Sequence, residues 1–465
     1  MQGKITGEVK ISPATLNITQ KIKNVSDFKE RIGEFLEKSV TELAEVILGG
    51  GIHLEASDIH IEPEEEQAKI RIRLDGILQN VMILNLKIYE NILSRLKLLS
   101  GLKLNITDRP QGGRFSVLMP STRAKLGAGP VPHRNEVSSA GEEVTIEIRV
   151  STLPAEYGES IVLRILNPKA LIDMEELGPR EDLLNTFKKE IKKPNGMIIV
   201  TGPTGCGKTT TLYAILKKIQ NPEIKIITIE DPIEYHLEGI SQTQVDPKAG
   251  YDFANGLKSI MRQDPDVILV GEIRDLETAE IALQAALTGH LVFTTLHTND
   301  AAGTIARLTS LGAKPSNIGP AINVAIAQRL VRKICKKCAE FKKISLEELK
   351  KIKKELSEGP AKGGRVAGGL ESLKVKIPKL SPGLKIPKIK GCQNCNFTGY
   401  RGRIGIFEAF LVDDEMEKLI VRNPSIAALR EKVIKKGMIT MKKDGLIKVL
   451  EGITTIEEVE RVTGE

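Results

Sequence analysis

"MIIVTGPTGCGKTTTLY", residues 197–213, is the stretch that decides the fold. Its apolar opening predicts a buried strand, and the glycine-rich turn after it leads into a helix-forming run. Backbone N–H groups of such a turn and the helix N-terminus form an anion site. The lysine of this pattern reaches phosphates, and the next hydroxyl binds Mg²⁺. We therefore predict a P-loop for ATP and Mg²⁺ that consists of Gly202, Pro203, Thr204, Gly205, Cys206, Gly207, Lys208, Thr209 and Thr210.

The sequence around the P-loop alternates short β-branched runs with helical patterns. "MIIV", "IKIITI", "DVILV" and "LVFTTLH" are the strand-like runs, and helix-forming segments lie between them. Buried apolar strands that are joined by helices are typical of a mostly parallel sheet covered on both faces. The fold class predicted for this part of the chain is therefore α/β.

Carboxylates follow two of these strands at the point where each strand ends. "IKIITIEDPIEY" ends its strand with Glu230 and Asp231, and Glu234 comes one turn later. "VILVGE" ends in Glu272, with Gly271 in the position where a P-loop ATPase usually has an aspartate. Ligands of a parallel sheet collect at the carboxyl ends of its strands, so the neighbouring strand would supply the missing acid. The alternative is that these are ordinary surface carboxylates.

Polar residues also end the fourth strand-like run, "LTGHLVFTTLHTND". Thr294, Thr295, His297 and Thr298 stand where a γ-phosphate sensor would lie, and His290 precedes the same run. Histidine can act as a neutral or cationic donor near pH 7. Either histidine could instead have a structural role in a turn between helix and strand.

The region before the P-loop has a different pattern. Residues 1–38 are polar and weakly patterned, which predicts a tail or a fragment of a domain. From 39 to about 170, helical stripes and alternating strands predict a small α+β domain. The Gly-, Pro- and Ser-rich segment 120–142 separates two strand-like runs, and we interpret it as a long mobile hairpin loop.

Two CxxC pairs lie after the α/β region. Four thiolates in two tight pairs suit tetrahedral Zn²⁺, provided that the long segment between the pairs loops out. Redox-active pairs are the rival interpretation, but neither CxxC opens a helix of a thioredoxin-like unit. The predicted zinc ligands are Cys335, Cys338, Cys392 and Cys395.

The charge of the chain is concentrated in one place. Residues 339–391 contain 13 Lys, one Arg and six Glu, which equals the entire net charge of +8. We interpret this segment as a solvated insert, with binding to lipid headgroups or to a partner as the alternative. Trp is absent and aromatic residues make up only 3%, which argues against base stacking on single-stranded nucleic acid. No transmembrane run, signal peptide or disulfide framework is evident, so we expect a cytoplasmic protein.

Several long motifs resemble one family, the ATPases of type II secretion and type IV pilus assembly. They are "GPTGCGKTTTLY", "TIEDPIEY", "RQDPDVILVGEIRDLETAEIALQAALTGHLVFTTLHTNDA" and "GYRGRIGIFE", with "ASDIHIEP" and "RLDGIL" nearer the N-terminus. The resemblance extends over about residues 39–465. It implies a homo-hexamer at the inner face of the cytoplasmic membrane, which contacts the membrane only peripherally through partners. ATP hydrolysis would drive pilin or pseudopilin polymerisation through an inner-membrane platform protein.

The resemblance also implies a domain plan, in which a PAS-like domain precedes a RecA-like P-loop domain. The family's separate N-terminal docking domain would be missing, which leaves recruitment to the membrane unexplained. The predicted segments are a tail (1–38), a PAS-like α+β domain (39–175), a RecA-like domain (176–330), a tetracysteine zinc module with the Lys-rich insert (331–400) and a C-terminal helical region (401–465).

Roles for individual residues follow from the same resemblance. Glu230 to Glu234 match the family's acidic box, Glu272 matches its Walker B glutamate, and His290 to His297 match its His box. Arginines that reach the phosphates from the N-terminal domain fall on Arg149 and Arg164. Two further basic positions fall on Arg262 and on Lys258, where the family often has arginine, and a lysine lacks the bidentate fork.

Two other functions fit parts of the sequence. A nucleic-acid translocase could use a RecA-like motor, although the confined charge and the scarcity of aromatic residues count against it. A nucleotide-gated scaffold with little turnover would keep the P-loop without rapid hydrolysis.

Overall fold

The computed structural model describes residues 7–120, 143–167, 171–357 and 380–464. The chain divides into two compact units. The first contains residues 1–170 and the short segment Gln393–Asn396, and the second contains Leu171–Cys392 and Phe397–Glu465. Most of the predicted 120–142 loop and residues 358–379 of the Lys-rich insert lie outside the described residues.

The first unit is built on a seven-stranded sheet with the strand order β1-β5-β6-β7-β2-β3-β4. Its strands are antiparallel, apart from β1, which pairs with β5 in parallel. Its elements are β1 (Gly7–Lys10), α1 (Pro13–Thr19), α2 (Val25–Gly33), α3 (Val40–His53), β2 (Asp58–Pro63), β3 (Gln67–Leu74), β4 (Ile77–Asn85), α4 (Leu86–Leu99), β5 (Gln111–Pro120), β6 (Glu143–Ala155) and β7 (Gly158–Leu166).

Residues 7–38 belong to this unit, so of the two interpretations of residues 1–38 the structure favours part of a domain over a tail. From Gly7 on, this segment supplies one strand and two helices, and Phe28 and Ile32 are fully buried in the core. The Asn24 side chain caps α2 by accepting a hydrogen bond from the Asp27 N–H. The apolar residues here are few and divided among three short elements, so no single period could reveal them.

The second unit has a seven-stranded sheet in the order β10-β9-β11-β12-β8-β13-β16. All neighbouring strands are parallel except β13 and β16, which are antiparallel. The elements of its first half are α5 (Glu181–Glu190), β8 (Gly196–Thr201), α6 (Lys208–Ile219), β9 (Ile226–Glu230), β10 (Ser241–Gln244), α7 (Phe253–Ile260), β11 (Val267–Val270), α8 (Leu276–Leu287), β12 (Leu291–Leu296), α9 (Gly303–Ser310) and α10 (Pro315–Ala321).

The rest of the second unit starts with the longest strand of its sheet. The elements are β13 (Ile322–Ile334), β14 (Glu340–Lys343), α11 (Leu346–Ser357), β15 (Lys385–Lys388), β16 (Tyr400–Leu411), α12 (Asp414–Val421), α13 (Ile426–Lys435), α14 (Met441–Leu450) and α15 (Ile456–Thr463). β14 and β15 form a separate two-stranded antiparallel sheet. The region predicted as helical over 401–465 therefore begins with β16, which adds a strand to the main sheet.

The sheet of the second unit is covered on both faces, as predicted for the α/β class, which is confirmed. Alternate residues of β8 show this, because Ile199 packs into one apolar cluster while Ile198 and Val200 pack into another. Since β8, β9, β11 and β12 are parallel, their carboxyl ends meet along one edge of the sheet. The P-loop leaves the sheet at that edge. Among the described residues, no helix is both long and apolar enough to span a bilayer.

Candidate nucleotide-binding site

The P-loop connects the end of β8 to the first turn of α6. Gly207 is the N-cap of α6 and has φ of 90°, a left-handed conformation in which glycine is favoured. A Cβ at Gly207 would lie 2.9 Å from Gln328 Nε2, and one at Gly202 would lie 2.5 Å from Cys206 Sγ. Both glycines are thus required by close approach as well as by backbone conformation. The turn has the shape of an anion cradle at a helix N-terminus.

Lys208 opens α6, and its ammonium group lies back over the turn. Its Nζ donates to Gly202 O at 2.8 Å and to Pro203 O at 3.3 Å. Burial lowers the pKa of Lys208, and the nearby Glu272 carboxylate opposes this effect. Thr209 and Thr210 follow in the first turn of the helix. The lysine, the two hydroxyls and the backbone of the turn fit the phosphates and the metal of a Mg²⁺–nucleotide.

Glu272 lies just past β11 at the same edge, and it contacts two basic side chains. Arg274 donates to Glu272 Oε1, and His297 Nε2 lies 3.5 Å from Glu272 Oε2. Gly271 allows the adjacent strand to approach, since a Cβ there would lie 3.2 Å from Ile229 O and 3.3 Å from Glu230 Cα. The glycine in the usual aspartate position thus leaves room for the tip of β9.

Glu230 lies at the tip of β9, and its carboxylate is buried with three side-chain partners. Thr228 Oγ1 donates to Oε1 at 2.6 Å, Gln242 Nε2 donates to Oε1 at 3.2 Å, and the Tyr213 hydroxyl donates to Oε2. Burial raises the pKa of Glu230, although these hydrogen bonds oppose the shift. The group is therefore held by uncharged donors inside the unit.

The residues after Glu230 are held by the same network. The Tyr213 hydroxyl that donates to Glu230 also accepts from the Glu234 N–H at 3.3 Å. Asp231 Oδ2 lies 3.6 Å from Nη1 of Arg274, the arginine that also contacts Glu272. Arg274 thus connects the two acidic strand tips, and Tyr213 connects Glu230 to the loop that follows it. Neither residue was predicted from the sequence.

Threonines at the end of β12 connect the strand tips to each other. The Thr295 hydroxyl donates to Gly271 O at 2.7 Å, and Thr298 Oγ1 lies 2.8 Å from Thr201 Oγ1. These contacts hold the segment that carries His297. Burial and then the nearby Lys208 ammonium lower the pKa of His297, so the imidazole is mainly neutral at pH 7. A neutral imidazole can donate or accept a hydrogen bond beside Glu272.

His290 lies at the opposite end of β12 from His297, so the structure does not bring this predicted nucleotide-binding residue to the P-loop of its own unit. It precedes the strand, whereas His297 follows it. Its Nδ1 lies 3.1 Å from Ala285 O, and its backbone carbonyl accepts from the Gly196 N–H at the start of β8. A six-residue strand spans about 20 Å, so within this unit His290 is far from the P-loop.

Lys258 and Arg262 are also away from the P-loop edge. Lys258, on α7, pairs with Glu277 on α8, and Arg262 Nη2 donates to Ser259 Oγ in the preceding turn. Both come just before β11, at the amino end of that parallel strand. The structure therefore does not bring them to the acidic strand tips of their own unit.

Arg149 and Arg164 belong to the first unit, where they lie directly opposite each other on β6 and β7. Arg149 Nε lies 3.5 Å from Glu147 Oε1, and Arg164 Nε lies 3.2 Å from Asp58 Oδ1. The predicted pair is thus brought together, and each arginine has a carboxylate partner.

Strand pairing places two further arginines beside this pair, so that arginines and carboxylates form a row across the sheet. This row was not predicted from the sequence. Arg114 on β5 is opposite Arg149, and Arg73 on β3 is opposite Asp58 on β2. Arg114 shares Glu147, at 3.7 Å, and Arg73 shares Asp58, at 3.4 Å. Alternation suggested the strands, but pairing between strands distant in sequence is not visible in the chain.

The four cysteines of the two CxxC pairs converge in the second half of the chain. Their sulfur atoms all lie within 4.8 Å of one another, and Cys335 Sγ is 4.0 Å from Cys392 Sγ. Cys335 directly follows β13, and its N–H donates to Gly399 O at 2.8 Å. Four thiolates around one zinc ion at about 2.3 Å place sulfurs about 3.8 Å apart. The donor set and its spacing therefore fit zinc.

The chain is similar to known proteins in both sequence and fold. The family model described as Type II/IV secretion system protein matches residues 35–140 and 128–461. The chain belongs to this family. It is similar to the type II secretion system ATPase E of Vibrio cholerae, at 42% identity over 92% of this chain and 76% of that protein. It is also similar to the type IV pilus assembly ATPase PilB of Thermus thermophilus, at 40% identity over 92% of this chain and 43% of that protein.

Membership of the type II/IV secretion system protein family confirms the resemblance seen in the motifs. The fold agrees as well, because the crystal structure of the ATPase DotB from Yersinia pseudotuberculosis superposes with a TM-score of 0.62. That likeness covers 91% of this chain and 93% of DotB at 19% identity, so it concerns the fold alone. The chain spans less than half the length of the Thermus relative.

Proposed function

We propose that this chain is a Mg²⁺-dependent ATPase motor that couples ATP hydrolysis to the assembly of a type IV pilus or of a type II secretion pseudopilus. The observation that carries the proposal is the meeting of the P-loop, Glu272 and His297 at one edge of a parallel sheet. The names of the relatives support the same process, since they are a pilus assembly ATPase and a type II secretion ATPase.

In the proposed mechanism, the P-loop binds and orients the triphosphate. Backbone N–H groups at the start of α6 and the Lys208 ammonium would hold its negative charge, and the Thr209 hydroxyl would be a ligand of the metal. Mg²⁺, when bound, would neutralise charge on the phosphates. Asp231 and Glu234 lie at the adjacent strand tip and could share in holding the metal or its water.

Glu272 is the residue that we assign to orienting the attacking water and accepting its proton. Its carboxylate is partly exposed at the strand tip, and it lies next to the neutral imidazole of His297. His297, which lies beside Glu272, would act as a sensor of the γ-phosphate or hold it by a hydrogen bond. Glu230 is assigned a positioning role, because its carboxylate is enclosed by Thr228, Tyr213 and Gln242.

We further propose a homo-hexamer in which Arg149 and Arg164 supply positive charge to bound phosphates. Fixed charges at the transferring phosphoryl group account for much of phosphoryl-transfer catalysis. Lys258 and Arg262 lack a catalytic role within their own unit, so any role would need a neighbouring subunit. An inner-membrane platform protein is the proposed partner, with the chain at the inner face of the membrane and pilin or pseudopilin as the indirect substrate.

The tetracysteine cluster is proposed to bind structural zinc. Four thiolates leave no open coordination position, which suits a structural and not a catalytic site. Purified without chelators, the chain should contain about one zinc per subunit, measured by plasma emission spectrometry. A value near zero with intact free thiols would contradict the assignment.

The central test is ATP hydrolysis by the purified chain, with inorganic phosphate as the readout. We expect activity with Mg²⁺, none with excess EDTA, and loss of both nucleotide binding and hydrolysis in Lys208→Ala. The matched control is Lys217→Ala, on the same helix but in its last turn. Light scattering in parallel should give the mass of a hexamer. Absence of turnover by an intact oligomer would contradict the motor, and strong stimulation by DNA would favour a translocase.

A further inference from the structure

Gln328 is a buried side chain of β13 that contacts the P-loop from within the same unit. It is only 1% exposed, and both ends of its amide are used. Nε2 donates to the Cys206 carbonyl at 2.9 Å, and Oε1 accepts from the Thr211 hydroxyl at 2.7 Å. One side chain thus bonds to the turn of the P-loop and to the helix that follows it.

The bond to Cys206 O fixes the orientation of a peptide group in the turn. In a trans peptide, the C=O of one residue and the N–H of the next point in opposite directions. Holding Cys206 O against β13 therefore directs the Gly207 N–H away from β13. Gly207 is the N-cap of α6, so this N–H belongs to the helix N-terminus, where anions bind.

The packing around Gln328 shows that the turn is fitted to it. A Cβ at Gly207 would lie 2.9 Å from Gln328 Nε2, and a Cβ at Gly202 would lie 2.7 Å from Gln328 O. The two glycines at either end of the turn thus contact the same residue. Their backbone conformations and the position of β13 depend on each other.

We propose that Gln328 is a positioning residue for the P-loop, which holds the Cys206–Gly207 peptide in the orientation that binds nucleotide phosphates. This inference rests on the proposed ATP-binding function and concerns its binding step. A purely structural Gln328 would stabilise the second unit and leave nucleotide affinity unchanged. If Gln328 positions the P-loop, nucleotide affinity depends on the Gln328 Nε2 group that donates to the Cys206 carbonyl.

Gln328→Glu is the sharpest variant, because it keeps the shape and the acceptor for Thr211 and replaces only the donor. We expect the Kd for Mg²⁺–ADP, measured by calorimetry, to rise about tenfold, which corresponds to one lost hydrogen bond and an unfavourable oxygen contact. KM for ATP should rise in parallel, with a smaller change in kcat. Gln328→Met, which is uncharged and of similar length, serves if the buried carboxylate prevents folding.

Thr211→Val is the matched control, since it removes the other hydrogen bond of the same amide and leaves the bond to Cys206 intact. Its Kd should rise no more than about threefold. A lower thermal midpoint of the nucleotide-free Gln328 variants with unchanged Kd would overturn the inference in favour of a structural role. Failure of the wild-type protein to bind ADP would instead overturn the proposed function, so the two failures are distinguishable.

Discussion

Glu230 and Glu272 lie at the tips of two adjacent parallel strands, yet their surroundings differ. Glu230 is 3% exposed and is held by hydroxyl and amide donors, and burial raises its pKa. Glu272 is partly exposed and contacts Arg274 and His297. A buried carboxylate without a cationic partner favours its protonated form, which agrees with the raised pKa of Glu230, whereas Glu272 has the Arg274 guanidinium beside it.

The comparison separates two roles that the sequence could not separate. Position after a strand predicts only that an acid faces the ligand edge. The neighbouring groups distinguish the two acids. Glu230 is hydrogen-bonded to Tyr213, whose hydroxyl also accepts from the Glu234 backbone N–H. Glu272 instead lies close to Lys208 and His297. We therefore assign charge-dependent chemistry to Glu272 and support of the loop to Glu230.

The strongest test of this comparison is Glu272→Gln. Without a carboxylate, the attacking water loses its proton acceptor, and we expect kcat to fall about 1,000-fold. ADP and ATP affinity should stay within about threefold, because the P-loop is unchanged. Steady-state phosphate release and calorimetric Kd values measure the two quantities. A kcat equal to that of the wild type would show that Glu272 takes no part in hydrolysis. The structural difference between the two strand tips would then have no functional consequence.

A second test removes positive charge in place of negative charge. In the proposed hexamer, Arg149→Ala and Arg164→Ala should each lower kcat about 100-fold and leave ATP binding intact, since they act on transition-state charge. Arg73→Ala is the matched control, because Arg73 lies in the same row on the far side of Asp58. An equal loss of kcat in all three variants would show that the whole row of arginines and carboxylates supports hydrolysis, and not Arg149 and Arg164 in particular.

Glu230→Gln should have a smaller effect than either of these. An amide has the size of the carboxylate and can still accept from Thr228 or Tyr213, so we expect kcat to fall less than about tenfold. Tyr213→Phe removes the bond between the tyrosine hydroxyl and Glu230 without touching the carboxylate, and it should give a similar reduction. A loss as large as that of Glu272→Gln would show that Glu230 carries the charge-dependent step.

The sequence predicted the P-loop and both strand tips because these depend on local order along the chain. A strand, a glycine turn and a helix N-terminus are consecutive, and the acids directly follow apolar runs. Gln328 was missed because it contacts Cys206 from a strand 122 residues later, and a buried glutamine has no local pattern. The distance of His290 from the P-loop of its own unit was not visible in the sequence for a related reason. Two histidines that flank one strand lie at opposite edges of the sheet, and the spacing between them does not say which edge holds the ligand.

Glu458 tests the rule that separates Glu230 from Glu272, since it is buried like Glu230 but has cationic partners. Burial opposes its charge, but hydrogen bonds from Arg461 and Arg332 outweigh that effect and lower its pKa to about 2. The charged group therefore adds stability above its ordinary pKa of 4.5, and the contribution is lost as the pH falls towards 2.

Glu458→Gln should thus lower the free energy of unfolding by about 2 kcal/mol at pH 7, less than the full shift because solvent screens part of it. Urea unfolding from pH 7 down to pH 4 measures the difference from wild type, which should begin to narrow near pH 4.5. Glu457→Gln, at the exposed neighbouring position of α15, should change little at any pH. A difference in the free energy of unfolding that stayed constant from pH 7 to pH 4 would show that Arg461 and Arg332 do not lower the pKa of Glu458. Contact with a cation would then no longer explain why Glu230 and Glu272 differ.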